Sequence, residues 1–553
     1  MREQTVKVIV ENRGREYTIS ARRGRRLSDV LLENGFALET VCGGSGNCGK
    51  CKVHFMTQAP AVTNADCKKL MSGELQNGER LACMVLLQSD CRVELLDFAE
   101  TGKFLIPDVM GSKTEKTQRK SSEDQGGHYG IGIDIGTTTL AAALIRIGEN
   151  NQFAGKEVSL KKVCDRILAA ETGLNHQRRY GADVISRIQA AQSGLADELR
   201  KSITEDITEL IRLLLDKNEI LPKRLEHITI AGNTTMLHLL RGYSCDDLGK
   251  YPYKAVSLKL EEHAVKEVFP QLSEVPDTCR ITILPGFSAF VGADILSGLY
   301  ALDTEFREKK NKILFLDLGT NGEMAVWTGQ NMMVTSTAAG PVFEGGEISR
   351  GTGSIPGAIA HVHITAEGCS ISTIGNATPC GICGTGVMEA AAALYKAGIA
   401  DETGLLAEPY FQKGYPLYTD KNGQKIFFTQ QDIRKVQLGK AAIRAGIEIL
   451  LKKAGIETKQ ITQVYIAGGF GSQVDFEAIR QLDLLPNTLL SDTKIVGNTS
   501  LYGTLRFMLV QNAKEEVNML AECVYEIALA QNPEFEEQYV AHMNFESEDA
   551  HEL

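Results

Sequence analysis

No run of apolar residues in this 553-residue chain reaches the roughly 18 that a membrane-spanning helix needs. The start, MREQTVKVIVENRG, alternates like a strand and lacks the charged tail and apolar block of a secretory leader. The closing Ala550-His551-Glu552-Leu553 is only faintly like a retention signal, and no secretory start goes with it. A cytoplasmic protein with no membrane role is expected. Positive charge is also scarce. The net charge is −11, yet residues 1–98 carry 14 Lys/Arg against 12 Asp/Glu, so the acidity lies beyond them. That disfavours nucleic acid as a partner for the bulk of the chain. Prolines number 14 against 53 glycines, which predicts many tight turns between regular elements. The phosphate loop G-x4-G-K-[ST] is missing. The 13 cysteines are odd in number, and with no secretory start a disulfide framework is not expected.

What is present divides into unlike parts. Residues 3–20 read as two strands joined at Arg13-Gly14. LSDVLLENG (27–35) reads as a helix with Ser28 as N-cap and Gly35 as its stop. KVHFM, RLACMVLL and CRVELL read as further strands, giving a small mixed β domain with one helix over 1–98. Its run Arg22-Arg23-Gly24-Arg25-Arg26 reads as a solvated hairpin rim or as a docking patch for an acidic partner. Residues 99–127, with GSKTEKTQRKSSEDQGG, read as a flexible linker. From 128 onwards the pattern is α/β and repeats. Asp134-Ile135-Gly136-Thr137 matches Asp317-Leu318-Gly319-Thr320, and HITIAGNTT (227–235) matches VYIAGGFGS (464–472). A weaker third pair sets Gly286 and Gly292 against Gly497 and Gly503. Two copies of one unit are therefore expected, over 128–310 and 311–553, with an insertion near 340–430 in the second.

TVCGGSGNCGKC (40–51) sets Cys42, Cys48 and Cys51 on one Gly-rich loop. The glycines let backbone curl around converging thiolates and leave amide N–H groups free to bond sulfide. A fourth thiolate must come from elsewhere; Cys83 in RLACMV is chosen over Cys67, in a polar helical run, and over Cys91. Four cysteines in this arrangement suit a 2Fe–2S cluster, and the spacing is similar to adrenodoxin-like ferredoxins, one residue longer than the plant type. Zinc is the competing reading, but zinc sites usually pair two short Cys knuckles and only one is found here. Cys380-x2-Cys383 reads as a Gly-rich turn with incidental thiols rather than a second cluster.

DIGTTT and DLGTNGE each put an Asp at a strand end, then Gly, then hydroxyl or amide side chains. The Gly admits a phosphate close to the backbone. Thr137, Thr138, Thr320 and Asn321 can donate to phosphate oxygens, and Gly319 opens the second turn. Asp134 and Asp317 can hold Mg²⁺ through its waters. Gly468 and Gly469 in YIAGGFG can let a flat adenosine lie on the backbone.

Residues 128–553 resemble the acetate and sugar kinase, heat-shock chaperone and actin superfamily. Over nearly its full length, the chain resembles the ATP-dependent reductive activators of corrinoid proteins. The stretches GADVISRI (181–188), AGNTTMLH (231–238), FLDLGTNGEMAV (315–326), AAGPVFEGGEI (338–348) and AGGFG (467–471) carry that likeness. It implies an α/β, multi-domain chain: an N-terminal β-grasp 2Fe–2S ferredoxin joined to a duplicated, RNase H-like and actin-like ATPase. It implies that ATP and Mg²⁺ are bound, and that one electron passes to Co(II) of a corrinoid protein in a methyltransferase system to regenerate Co(I). An upstream low-potential reductant is required, and a homodimer is compatible with the family. Asp134 and Asp317 would also organise the attacking water. Glu344 reads equally as a group near the γ-phosphate and as a helix-start carboxylate. The absence of a Cys-rich C-terminal tail argues for one cluster. The competing functions are a metabolite kinase with a redox domain, an ATP-driven electron donor to another enzyme, and a chaperone-like ATPase that inserts corrinoid.

Overall fold

The computed structural model describes residues 5–12, 15–34, 36, 38, 46, 49, 51–70, 72–95, 127–147, 158–181, 183–302, 306, 311–420, 423, 425–468, 475–529 and 532–545. They fall into two compact units, 1–102 with 176–202 and 103–175 with 203–553.

In the first unit, β1 (Thr5–Asn12) and β2 (Arg15–Arg22) form the expected hairpin. β3 (Lys52–Phe55), β4 (Glu79–Leu81) and β5 (Cys91–Leu95) complete a sheet of order β2-β1-β5-β3-β4. Only β1 and β5 are parallel. This is a β-grasp sheet, and its inward Val8, Val10, Val53 and Val93 pack on Leu27 and Leu31 of the helix Leu27–Glu33. Three expectations are corrected. Ser28 lies inside that helix, its hydroxyl bonded to Asp29 at 3.0 Å, and is not an N-cap. Among its described residues the domain has three helices, adding Asn64–Lys69 and Ser72–Gln76. RLACMVLL is not one strand: the ladder stops at Leu81, and Ala82–Met84 form a single 3₁₀ turn. Gly35 and most of the linker, 99–126, lie outside the described residues.

The second unit shows the repeat as topology. β6 (His128–Ile135), β7 (Thr139–Ile147), β8 (Ile167–Leu174), β9 (Leu225–Gly232), β10 (Glu261–Ala264) and β11 (Arg280–Ile283) lie in the order β10-β11-β9-β6-β7-β8. β12 (Ile313–Leu318), β13 (Gly322–Trp327) and β14 (Met332–Thr337) open the second copy. β15 (Ala358–Thr365), β16 (Gly368–Thr373) and β17 (Gly381–Ile382) form a three-stranded sheet, and β18 (Tyr415–Thr419) with β19 (Lys425–Phe428) a hairpin; both lie in the expected insertion. β20 (Gln463–Gly468), β21 (Thr493–Gly497) and β22 (Val524–Glu526) complete a sheet of order β21-β20-β12-β13-β14-β22. In each copy the first strand pairs antiparallel with the second and parallel with the fourth, the RNase H-like arrangement.

The copies match in register. Asp134 stands opposite Ala231 and Ile135 opposite Gly232; Asp317 stands opposite Ala467 and Leu318 opposite Gly468. The third sequence pair is misaligned. Gly292 precedes the helix Ala293–Ala301, whereas Gly503 lies within the helix Thr499–Leu509. The counterpart of Gly503 is Gly298. These two helices cross at their glycines: a Cβ on Gly503 would fall 1.9 Å from the Ser297 carbonyl oxygen, and one on Gly298 2.8 Å from Thr499 Oγ1. Ser297 Oγ donates to Ser500 O at 2.6 Å across the crossing.

Candidate functional site

The thiol site is built by the β3–β4 pair. Lys52 stands opposite Leu81, and Ala82 N–H donates to Cys51 O at 2.8 Å. The turn that follows therefore brings Cys83 beside Cys51, and both are buried at 1% exposure. Buried Asp66 holds the turn's root: its carboxylate accepts from Leu81 N–H at 2.9 Å and from Thr63 N–H at 2.8 Å. Gly46 and Gly49 have φ of +77° and +72°, a left-handed backbone that glycine allows. A Cβ on Gly46 would meet Met84 Sδ at 2.8 Å, so this loop lies directly on the Cys83 turn. Two buried thiols, with Gly46 packed against the Met84 side chain next to one of them, fit a cluster held by Cys42, Cys48, Cys51 and Cys83; Cys42 and Cys48 themselves lie outside the described residues. The rejected thiols differ. Cys67 is exposed, and Cys91 opens the central strand β5, half-buried opposite Val8, its thiol pushed up to about 11 by burial and by Asp90. Of the second pair, Cys380 is exposed and Cys383 buried. Among the described residues, no group of three or more His, Cys, Asp or Glu side chains could hold a metal ion directly.

The two Gly turns of the second unit share a local design. Gly136 N–H donates to Thr139 O at 3.0 Å, and Gly319 N–H to Asn321 O at 3.1 Å. A Cβ on Gly232 would fall 2.8 Å from Ile135 O, and one on Gly468 2.7 Å from Leu318 O, so each turn is backed by a glycine from the fourth strand. Gly468 also has φ +102° and lies against Asp317; Gly469 is outside the described residues. Thr137 Oγ1 accepts from Asn233 Nδ2 at 3.1 Å. The Thr138 carbonyl accepts from Asn175 N–H at 3.0 Å. Thr320 Oγ1 donates to Glu344 Oε2 at 2.6 Å, so Glu344, on the 3₁₀ turn Pro341–Glu344, belongs to the second loop.

Five carboxyls share this recess. Burial raises Asp134, while Ser500 Oγ and Asn498 Nδ2, donating at 2.7 and 2.8 Å, favour its charged form. Burial and Asp134 push Asp294 to about 7. Burial, then Asp294, Asp134 and Glu344, hold Asp317 well above the carboxylate range. Burial, then Asp294 and Asp317, do the same to Glu323. Burial raises Glu344, against the pull of Thr320. A set of acids that disfavours its own ionisation is completed by protons or by a cation. The sequence reading had Asp134, Asp317 and Glu344. It missed Asp294 and Glu323, although Glu323 closes the quoted DLGTNGE, and it missed Asn498 and Ser500, which stand inside the stretch noted only for its glycine spacing.

Three family models match the chain: the 2Fe–2S iron–sulfur cluster binding domain over residues 10–88, the RACo middle region over 129–306 and the C-terminal ASKHA domain of RACo over 311–553. A corrinoid activation enzyme, RamQ of Eubacterium limosum, is 27% identical, with 94% of this chain and 96% of that protein covered. A reductase of the Co(II) methylated amine-specific corrinoid protein from Methanosarcina barkeri is 26% identical, over 75% of this chain and 77% of that one. Among solved structures, a reductive activator for corrinoid, iron-sulfur protein superposes with a TM-score of 0.68 at 26% identity, covering 98% of both chains.

Proposed function

The chain belongs to the reductive activators of corrinoid proteins, and on that premise we propose that it returns one electron, with ATP, to a corrinoid protein whose cobalt has fallen to Co(II). What carries the reading is the union in one chain of a buried thiol nest on a β-grasp domain and a duplicated, acid-lined pair of phosphate turns in matched register. Cys42, Cys48, Cys51 and Cys83 would hold the 2Fe–2S cluster, which supplies one-electron transfer. Asp134 and Asp317 would organise Mg²⁺ and the attacking water. Thr137, Thr138, Gly319, Thr320 and Asn321 would line the phosphates, Glu344 would stand near the γ-phosphate, and Gly468 and Gly469 would face adenosine. The working parts are residues 1–98, 99–127, 128–310 and 311–553. Among the described residues, no helix is long and apolar enough to cross a membrane.

ATP has a thermodynamic purpose in this reading. A typical plant-type 2Fe–2S centre lies near about −400 mV. If the cobalt couple lies ~100–200 mV lower, the transfer is uphill by ~2–5 kcal/mol. Hydrolysis that separates the partners after transfer makes the step one-way. The electron balance is one from a low-potential reductant and one to Co(II), giving Co(I), while ATP and water give ADP and phosphate.

The test is anaerobic Co(I) absorbance of a Co(II) corrinoid protein mixed with this chain, a reductant and ATP. Co(I) that forms only with ATP, and not with Cys48→Ser, is expected. ATP turnover that follows a small metabolite instead, with no Co(I) from any corrinoid protein, would make the chain a kinase.

A further inference from the structure

The loop Lys250–Lys259, between the helix Thr234–Arg241 and β10, has no role in the reading above, yet several of its side chains are exposed. Tyr251 is 77% exposed, Val256 59%, Phe290 44% and Tyr253 36%. The rings of Tyr251 and Tyr253 meet edge-on at 6.1 Å, and those of Tyr253 and Phe290 at 4.9 Å, so three exposed aromatics form one ledge. Tyr253 has φ +58°, a left-handed backbone that a bulky residue enters only when its surroundings impose it. The imposing bonds are Tyr253 N–H to Lys250 O at 2.7 Å and Lys254 N–H to Asp247 O at 3.0 Å. Lys250, Lys254 and Lys259 of the same loop are exposed and form no ion pair with any described residue, and they outnumber the exposed Asp246 and Asp247 that precede it, in a chain whose net charge is −11. The ledge is tied to the first phosphate turn. The Phe290 loop accepts at Ser288 O from Thr234 Oγ1 at 2.6 Å, and the neighbouring Asn233 donates to Thr137.

Aromatic side chains held rigid and flanked by unpaired cations are the anchors of a protein interface whose other side is apolar at its centre and acidic at its rim. We propose that the Tyr251–Tyr253–Phe290 ledge, with Lys250, Lys254 and Lys259, is the docking surface for an acidic face of the corrinoid protein. The assignment rests on the function proposed above. It adds the place on this chain where that partner sits, and the Thr137–Asn233–Thr234–Ser288 connection by which a nucleotide at the first turn is felt there.

The experiment measures binding of the full-length protein to the Co(II) corrinoid protein by interferometry at two salt concentrations. The variants are Tyr251→Ser and the double charge reversal Lys250→Glu/Lys254→Glu, both on the exposed loop, with ATP hydrolysis and the cluster's visible spectrum as controls. The expected result is affinity at least about tenfold weaker for each variant, a flatter salt dependence for the charge reversal, and unchanged controls. Wild-type affinity in both variants would overturn the docking assignment and leave the proposed function standing. A wild-type protein that binds no corrinoid protein would overturn both. Self-association that Tyr251→Ser abolishes, with corrinoid-protein binding intact, would give the ledge to a second copy of this chain and overturn the assignment.

Discussion

Single carboxyls in the recess have opposite tasks. Asp134 is fixed by two donors, whereas Asp317 lies among like charges with burial as the first cause of its shift. Asp317→Asn is expected to abolish ATP hydrolysis, a loss on the order of a hundredfold or more, if Asp317 organises the cation and the attacking water as proposed. The cluster's absorbance should survive, and a bleached spectrum would contradict the separation of the two sites. Asp294 gives a pH signature. Its folded value of about 7 lies above the ordinary 3.8, so the folded chain binds its proton more tightly than the unfolded one does. Its contribution is therefore fully present below pH 3.8 and lost as pH rises through about 7. Thermal unfolding of the nucleotide-free protein should show a falling midpoint across that window. Asp294→Asn should make the fall shallower, the other raised carboxyls of the recess keeping part of it, and Mg²⁺ with ATP should restore the midpoint at the alkaline end.

Elements explain what the sequence could and could not say. The repeat was readable because its signals are local. A Gly must sit where the hairpin closes and another where the fourth strand backs it, and both spacings are printed in the chain as DIGT/DLGT and IAGN/IAGG. The third pairing failed because glycine has two reasons to occur near a helix. Gly292 precedes one helix, while Gly503 lets another helix touch its neighbour, and spacing alone does not separate the two. Cys83 was read as part of a strand, whereas it lies in the 3₁₀ turn Ala82–Met84. ACMVLL has no breaker residue, and the strand ends where Asp66, fifteen residues earlier, takes the Leu81 amide. Asn498 and Ser500 were out of reach because their partner, Asp134, lies more than 360 residues away. The helix crossing itself makes a prediction. Gly503→Ala must push Ser297 aside, an overpacking that costs about 1–3 kcal/mol. The unfolding midpoint of the ATPase part should drop, and ATP hydrolysis should fall with it.

For the whole molecule, the two units separate two kinds of chemistry, and each can be silenced alone. Cys48→Ser or Cys83→Ser should leave ATP hydrolysis within about twofold of wild type and give no Co(I), because the two Gly turns proposed to hold the phosphates are built entirely from residues of the second unit. A chaperone-like protein that only inserts corrinoid would keep its activity in the same variants. The proposed ledge belongs to the second unit as well, so a cysteine variant should still dock its partner with undiminished affinity.

The glycine crossing has a mechanical meaning. Where a Cβ on Gly503 would strike the Ser297 carbonyl and one on Gly298 the Thr499 hydroxyl, the two helices have no slack between them, and the contact itself sets their spacing.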